Sequence, residues 1–596
     1  MRKYTSLGSL FLFFLIASVV LSGFILRQSG KTNETPLFIT GLAPYKAGFV
    51  ASQKGTREVA YYSSDWNECL QRWELDEVPT GIAATADNIY VTVAGEEKNG
   101  VYILSASNDA KAYIPTGSGA CYPLVDEQSN KLYVCNQFST TITEIDLSTR
   151  KVSRETSALR EPKSAVIDAK RKYLLVANFL PQQRADLDTV SACLSVIDLN
   201  RFQKVSDIPL ANGSNALRGV ALSPDGRYAL VTHNLGRFQV PTSQLQQGWM
   251  NTSAMSVVNL DNLRFEGTVL LDEPERGAAG IWDVKSTEDK VVITHSGTHD
   301  ISIIDYPAFI RKFEAYPQKD ALAYDLRFMY DVRRRIAIEG NGPRSLLLKD
   351  QMAVVPTYFS DTLNVVNLNT LHVNAVALVN NRTESRIQRG EKYFNDADFC
   401  FQNWQSCNGC HPGDGRTDGM NWDLMNDGIG NPKNCKSMLF SHVTPPNMIS
   451  GIRASANVAV RAGFTHIQFS DIPEDFAACV DEYLMALRPV PSPYLVNGEL
   501  SEKAQRGRKV FEKLKCDACH SGPYYTDMKM YRIGEDIEFE NGWDTPTLRE
   551  VWRTAPYLFD GRAATMKDVF SVHKHGIEKK VSDKEIDELV EYVNSL

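Results

Sequence analysis

Short stretches in which apolar and polar residues alternate recur along the chain from residue 37 to residue 380. In each copy a Pro or Gly turn leads into an apolar strand, and a second strand with a hydrophobic-Asp-Leu ending follows. Two clear copies pair Lys131–Asn136 with Thr141–Leu147, and Lys172–Asn178 with Leu194–Leu199. Alternation with a period of two residues, broken by regular turns, predicts short β-strands grouped in repeated units.

The spacing of these copies indicates a β-propeller. The equivalent positions Thr92, Asn136 and Asn178 follow one another at a nearly constant interval. One such unit cannot bury both of its faces, so the units must stack in a ring. Six copies are visible, and we expect seven blades, with the seventh completed by the two ends of the segment. A β-sandwich is the alternative, but it does not explain the period. The repeats resemble those of YVTN-type propellers, which implies a fold and no activity.

Near Arg382 the strand pattern ends and helical periodicity begins. Ser501–Phe511 has the pattern of an amphipathic helix, and Ser582–Val593 has a capped start and one apolar face. Thr444–Gly451 is echoed in the following segment by Thr554–Gly561, which indicates a tandem duplication. We therefore predict a multidomain protein, with an all-β propeller at 37–380 and two tandem all-α domains at 382–491 and 498–596.

The N-terminus carries a long apolar run. Arg2 and Lys3 precede an uncharged stretch that includes every position from Leu7 to Leu26. A helix of about 20 residues crosses roughly 30 Å of hydrocarbon. We interpret residues 1–30 as a membrane anchor, and a signal peptide cleaved near Ser22 is the alternative. Either form places the rest of the chain on the periplasmic side of the inner membrane.

The composition restricts the domain organisation, the class of partner and the pairing of the cysteines. A chain of 596 residues, 43% of them hydrophobic, is too long for one core, and the net charge of −8 gives no case for nucleic-acid binding. Of the 11 cysteines, four fall in the two motifs described next, and the odd number that remains cannot all pair. Cys400 and Cys435 flank the first motif and form either a disulfide or two buried thiols.

Two C-x-x-C-H motifs, Cys407–His411 and Cys516–His520, carry the chemistry. Two thiols one helical turn apart can each add to a vinyl group of one haem, and the adjacent imidazole then binds the iron. A zinc site is the alternative, but the adjoining His and the expected export argue against it. We therefore predict two covalently bound haem c groups, held by Cys407, Cys410, His411, Cys516, Cys519 and His520.

Three further stretches carry a family resemblance. Asp544–Arg549, Arg553–Tyr557 and Asp560–Val569 resemble the C-terminal part of bacterial di-haem cytochrome c peroxidases and MauG-type enzymes, and the likeness extends over residues 384 to 596. It implies that both all-α domains are cytochrome c domains. It also implies an oxidoreductase in which electrons enter at the C-terminal haem and hydrogen peroxide is reduced at the first. A small cytochrome or cupredoxin donor and a Ca²⁺ ion suit the family, and the propeller would be a docking face for a protein.

The resemblance also suggests iron ligands on the second, distal side of each haem. The family's Met or Tyr ligand of the C-terminal haem falls at His573, with His575 as the other candidate. His466 precedes His575 by the same offset that separates the two motifs, and it is the leading distal ligand or catalytic residue of the first haem. Its rivals are His442, Met420, Met438 and Met448. Glu474 and Asp475 are candidate acid-base groups, although acidic residues are usually solvated, and Trp422 is a candidate inter-haem residue.

Three other functions compete with a peroxidase. The chain could be a pure electron carrier in which both haems are six-coordinate, or a MauG-like modifier of a partner protein. A dehydrogenase site in the propeller is the fourth idea, but its histidines, His233, His295 and His299, are scattered and fit structural roles.

Overall fold

The protein is described by a computed structural model. The structure describes residues 35–66, 68–105, 108–239, 250–380, 382–424, 432–533 and 540–596.

Seven four-stranded antiparallel sheets follow one another along the described part of the N-terminal segment. In each sheet the strands are hydrogen bonded in their order along the chain. The strands are β1 (Ile39–Tyr45), β2 (Gly48–Gln53), β3 (Glu58–Tyr62), β4 (Cys69–Glu74), β5 (Pro79–Ala84), β6 (Asn88–Ala94), β7 (Asn99–Ser105), β8 (Asn108–Pro115), β9 (Ala120–Asp126), β10 (Lys131–Asn136), β11 (Thr141–Asp146), β12 (Lys151–Ser157), β13 (Pro162–Asp168), β14 (Tyr173–Asn178), β15 (Cys193–Asp198), β16 (Gln203–Pro209), β17 (Ser214–Leu222), β18 (Tyr228–Gly236), β19 (Asn251–Asn259), β20 (Arg264–Leu270), β21 (Ile281–Ser286), β22 (Lys290–His295), β23 (Asp300–Asp305), β24 (Arg333–Ala337), β25 (Leu347–Lys349), β26 (Met352–Pro356), β27 (Thr362–Asn367) and β28 (Val373–Ala377).

The prediction of a seven-bladed propeller is confirmed, but the ring does not close through a blade shared by the two ends of the segment. Strands β1–β4 form the first blade from one continuous stretch, so the seventh blade is not completed by both ends of the segment. Instead, Phe49 of the first blade packs against Val354 and Leu363 of the last. The Asp361 carboxylate also accepts hydrogen bonds from the backbone N–H groups of Leu37 and Phe38, at 3.1 and 3.3 Å. The first blade was missed because β2 and β3 lack the sequence signature of the other copies.

The two middle strands of most blades are buried on both faces. Every residue of β18 is buried, whereas β12 at the outer edge of its blade is mostly exposed and has no buried residue. Apolar side chains therefore fill the space between adjacent sheets, as stacked blades require.

Helices occupy the C-terminal part and one insertion in the sixth blade. The α-helices of six or more residues are α1 (Tyr306–Ala315), α2 (Arg386–Asn395), α3 (Ala456–His466), α4 (Glu474–Ala486), α5 (Glu502–Lys513), α6 (Met566–Ser571) and α7 (Asp583–Asn594). The two helices predicted from the sequence are present as α5 and α7. Ser501 caps the first by accepting from the backbone N–H of Ala504, and Ser582 forms a capping box with Glu585 in the second.

The C-terminal part contains two units of the same design, which we call the first unit (α2–α4) and the second unit (α5–α7). In each, the first helix crosses the last at a glycine. A Cβ on Gly390 or Gly507 would lie 1.9 Å from the carbonyl oxygen of Cys479 or Glu588, so only glycine allows the approach.

The prediction that both units are all-α is not confirmed. Each contains a two-stranded antiparallel ladder between its motif and its second helix, and a third ladder joins the units. These short strands are β29 (Asn421–Trp422), β30 (Lys433–Asn434), β31 (Leu495–Val496), β32 (Glu499–Leu500), β33 (Met530–Tyr531) and β34 (Trp543–Asp544).

The predicted membrane anchor requires a correction. None of the helices formed by the described residues has the length and apolar character needed to span a bilayer. Residues 1–30, on which that prediction rests, lie outside the described part of the chain. The expectation of a transmembrane helix, and the periplasmic membrane location derived from it, is therefore withdrawn.

Candidate functional site

The first motif forms a tight turn that presents His411. Cys407–Gly409 is a single 3₁₀ turn, and His411 follows it. His411 Nδ1 lies 3.2 Å from the carbonyl oxygen of Arg416. A carbonyl can only accept, so Nδ1 carries the hydrogen and Nε2 keeps its lone pair for a metal. Burial lowers the pKa of His411 to about 4, so the ring is neutral near pH 7 and able to act as a ligand.

A cavity of about 880 Å³ opens beside this turn. Its size lies in the upper part of the range for cofactor and ligand sites. Cys407, Cys410 and His411 line it, and so does His466 at the end of α3. The structure therefore brings the first motif and His466 to one cavity with largely apolar walls. Trp422 also lines it, and its indole N–H donates to Asp418 at 2.9 Å.

The rival ligands divide into two groups. Met438 and Met448 line the cavity as well. Met420 is buried in a cluster with Trp422 and is not part of the cavity wall. His442 instead donates from Nε2 to the Asp481 carboxylate at 2.9 Å. The two candidate acid-base groups, Glu474 and Asp475, are exposed surface residues paired with arginines, so the structure places them outside the cavity wall.

The second motif repeats this geometry. Cys516–Ala518 is again one 3₁₀ turn, and His520 Nδ1 donates to the carbonyl oxygen of Tyr525 at 3.1 Å. The His575 ring centroid is 6.4 Å from that of His520. Two imidazoles that bind one metal ion at about 2 Å have centroids roughly 6 Å apart, so the pair fits a shared iron. Of the two predicted candidates, His575 is therefore the one whose ring faces His520. Burial, reinforced by His520, lowers the pKa of His575 to about 4.

The propeller covers the first motif, which no sequence signal indicated. Arg218 donates to the side-chain oxygen of Asn408 at 3.2 Å, and Asn251 donates to Cys410 Sγ at 3.2 Å. Asn408 and Gly409 are buried as a result, whereas Asp517 and Ala518 of the second motif are exposed. The two turns therefore have the same local shape, but the first is buried under the propeller and the second is exposed to solvent.

Buried ion pairs join the two units to each other and the second unit to the propeller. Arg416 of the first unit makes a bidentate contact with Glu550 of the second, at 2.8 and 2.9 Å. Arg553 Nε donates to Glu161 of the propeller at 2.9 Å. Burial is the largest single influence and acts to raise the pKa of Glu161, but the charge and hydrogen bond of Arg553, with Arg160 and Gln137, together hold that pKa below its ordinary value. Charge-assisted bidentate contacts of this kind fix orientation as well as distance.

Comparison with known proteins gives two curated relatives, and no family model matches the chain. The hydrazine synthase subunit gamma of Kuenenia stuttgartiensis is 26% identical over 275 residues, which cover 35% of this chain and 77% of the relative. The cytochrome-c peroxidase IdrP1 of Denitromonas iodatirespirans is 27% identical over 122 residues, which cover 13% of this chain and 32% of that protein.

The chain has weak homology to both. Among solved structures, hydrazine synthase of Kuenenia stuttgartiensis matches with a TM-score of 0.50 and 17% identity, over 59% of this chain and 98% of that chain. This likeness shows the fold alone. Together the matches connect the chain to redox proteins without assigning a reaction.

One group of side chains among the described residues has the spacing of a metal site: His299, Asp396 and Asp398. His299 Nδ1 accepts from the backbone N–H of Gly342 at 3.1 Å, so the ring hydrogen is on Nε2, which donates to Asp396 at 3.1 Å. That nitrogen then has no lone pair for a metal. We interpret the group as a hydrogen-bonded link between the propeller and the first unit. The Ca²⁺ site stays a prediction.

The other two propeller histidines are buried and hydrogen bonded through both ring nitrogens. His233 contacts Asn234 and Ser256, and His295 contacts Ala278 and Ser302. Both fit the structural role expected from the sequence, and they give a dehydrogenase site in the propeller no support.

The structure decides between a disulfide bond and two thiols for Cys400 and Cys435. All eleven cysteines, each of them among the described residues, are free of disulfide bonds. Cys435 is not bridged to Cys400, and its Sγ lies 3.6 Å from His411 Nδ1. Of the two alternatives for this pair, the structure has the unpaired thiols.

Proposed function

We propose that the chain is a di-haem c-type oxidoreductase of the peroxidase kind. The observation that carries this proposal is the repeated C-x-x-C-H turn, in which a backbone carbonyl accepts from Nδ1 of each imidazole and leaves the lone pair on Nε2. Support comes from the homology to a protein named a cytochrome-c peroxidase. Both units would then be cytochrome c domains.

The residues present fit two haem groups. Cys407, Cys410 and His411 would hold one in the apolar cavity, and Cys516, Cys519 and His520 would hold the other. When bound, the haems would supply two electrons, one at a time, to convert hydrogen peroxide and two protons into two waters.

Different distal residues would give the sites different tasks. His575, whose ring faces His520, would hold the second iron together with it and keep small molecules from that site, which suits electron transfer; His573 is the alternative ligand. His466 would stand on the distal side of the first site. If its imidazole is not bound to iron, it can hold one of the two protons that peroxide reduction consumes.

Electrons would enter at the second unit. The exposed Asp517 and Ala518 let a partner approach that motif, whereas the propeller covers Asn408 and Gly409 of the first. A small cytochrome or cupredoxin is the donor we propose. The blade residues that contact the first motif are not available to a partner, so the propeller would serve first as a wall of that haem site.

A pure electron carrier is the second candidate. His466 follows His411 at the same distance along the chain as His575 follows His520, which favours two equivalent bis-histidine sites. In that case both haems are closed, and peroxide meets no open iron.

Ligand binding separates the two candidates. The purified di-haem protein is half-reduced and then mixed with cyanide, carbon monoxide or low concentrations of peroxide, and absorption and low-temperature electron paramagnetic resonance spectra are recorded. The peroxidase proposal expects a high-spin iron that all three reagents change. Spectra that none of them alters would exclude the peroxidase and leave the electron carrier.

A further inference from the structure

One segment of the second unit lies between the two candidate haem sites. Asp544, Thr545 and Thr547 line the cavity of the first motif although they belong to the second unit. Lys436 of the first unit donates to the Asp544 carboxylate at 2.7 Å, which holds the segment against that cavity. The wall of the first site is therefore built partly from the second unit.

The same segment is hydrogen bonded to the loop that holds His520. The Thr547 hydroxyl donates to the carbonyl oxygen of Tyr524 at 2.6 Å. The Thr526 hydroxyl donates to the carbonyl oxygen of Thr545 at 2.6 Å. Tyr525, the residue between Tyr524 and Thr526, accepts the hydrogen bond from His520 Nδ1 at 3.1 Å.

Two short parallel connections therefore run from the cavity wall to the second imidazole. Each consists of one threonine hydrogen bond, one short stretch of backbone and the final hydrogen bond to His520. Thr526 and Thr545 are each only 7% exposed, so water is largely kept from this layer. Hydrogen bonds in such a low-dielectric layer are strong and hold a fixed geometry.

We propose that electrons pass between the two sites along these connections and converge on the Tyr525 carbonyl. This inference rests on the proposed di-haem function. In the step the second site is oxidised by one electron and the first is reduced by one electron, and no bond forms or breaks. The small redox protein proposed as donor then replaces the electron at the second site.

Valine substitutions test the route, because valine keeps the shape of threonine and removes its hydroxyl. The variants are Thr547→Val, Thr526→Val and their combination. Thr554→Val is the matched control: it lies in the second unit outside the cavity wall, and its hydroxyl donates to the carbonyl oxygen of Val551 at 3.0 Å, off the route. Thr547→Ser retains a hydroxyl at the position and should restore the wild-type rate.

Pulse radiolysis of the di-haem protein measures the rate. The pulse reduces the exposed second site, and absorbance then follows transfer to the first. Reduction potentials and thermal unfolding of the same samples allow variants to be compared at equal driving force and equal folding. We expect each single variant to slow transfer, the double variant to slow it severalfold, and Thr554→Val to match the wild type.

Wild-type transfer in the double variant, at unchanged potentials, would overturn the route. The two single variants decide the question if the double variant does not fold, since wild-type rates in both would equally exclude it. A wild-type protein that carries fewer than two haems would instead contradict the proposed function, so the two failures are distinguishable.

Discussion

The imidazoles of His411 and His520 each donate from Nδ1 to the carbonyl of the fifth residue after them. The motif spacing predicted both residues from the sequence, because the turn is local. The distal partner was harder to predict. His573 and His575 are two residues apart, and only the fold shows which ring faces His520. Glu161 and Arg218 gave no sequence signal, since their partners lie far away along the chain, in the C-terminal units.

Replacing His573 and His575 separately tests which of them binds the iron of the haem proposed for the second motif. We expect His575→Ala to convert a low-spin iron to a high-spin or weakly ligated one, because the ring opposite His520 is lost. His573→Ala is the matched control and should leave the spectrum unchanged. Electron paramagnetic resonance of both variants is the measurement. A low-spin signal that survives in His575→Ala and disappears in His573→Ala would move the ligand to His573.

At the scale of elements, the caps of α5 and α7 and the alternation of the blade strands could be predicted because they depend on neighbouring residues. The first blade and the short ladders could not. Strands β2 and β3 lack the sequence signature of the other copies, and the ladders in the units are only two residues long. The crossing of the first and last helix of each unit depends on Gly390 and Gly507, which a single sequence does not distinguish from other glycines.

Adding a methyl group at these crossings should destabilise the units. In Gly390→Ala or Gly507→Ala the new Cβ would meet a backbone oxygen at 1.9 Å, so the helices must separate. We expect the free energy of unfolding to fall by about 3 kcal/mol, the upper end for overpacking. Lys509→Ala, an exposed change on α5, should alter it by less than about 0.5 kcal/mol. Chemical denaturation followed by circular dichroism measures the free energy of unfolding of each variant. Glycine variants as stable as Lys509→Ala would show that the helices do not cross as closely as the structure has them.

At the scale of the whole molecule, the propeller and the two units share a buried ionic interface. The sequence predicted the order of these parts but not their contacts, because ion pairs across the interface join distant stretches of chain. Glu161 and Arg553 are 3% and 7% exposed, so their charges depend on each other rather than on water. Within this arrangement, Arg218 and Asn251 of the propeller contact the first motif, whereas Asp517 and Ala518 of the second stay exposed.

Acid should weaken this interface through Glu161. The folded-state pKa of Glu161 lies below its ordinary value of 4.5. The pair therefore contributes stability above pH 4.5, and this contribution is lost as the pH falls through the folded-state pKa. Glu161→Gln leaves Arg553 without this partner and should lower the free energy of unfolding at pH 7 by about 3 kcal/mol.

Denaturation of the wild type and Glu161→Gln between pH 7 and strongly acidic pH measures this effect. The difference in the free energy of unfolding between the two proteins should become smaller as the pH falls, because protonated Glu161 resembles glutamine. Glu127→Gln, an exposed propeller change, is the control and should follow the wild type at every pH. If this difference stays constant with pH, the ion pair of Glu161 does not stabilise the interface.

The central claim is that both motifs bind haem covalently. The most direct measurement is the intact mass of the denatured chain after expression with a cytochrome c maturation system, together with its pyridine haemochrome spectrum. We predict a mass increase of two haem groups, reduced to one in Cys516→Ser/Cys519→Ser and in Cys407→Ser/Cys410→Ser. A denatured chain with the mass of the polypeptide alone and no haemochrome absorption would contradict the account.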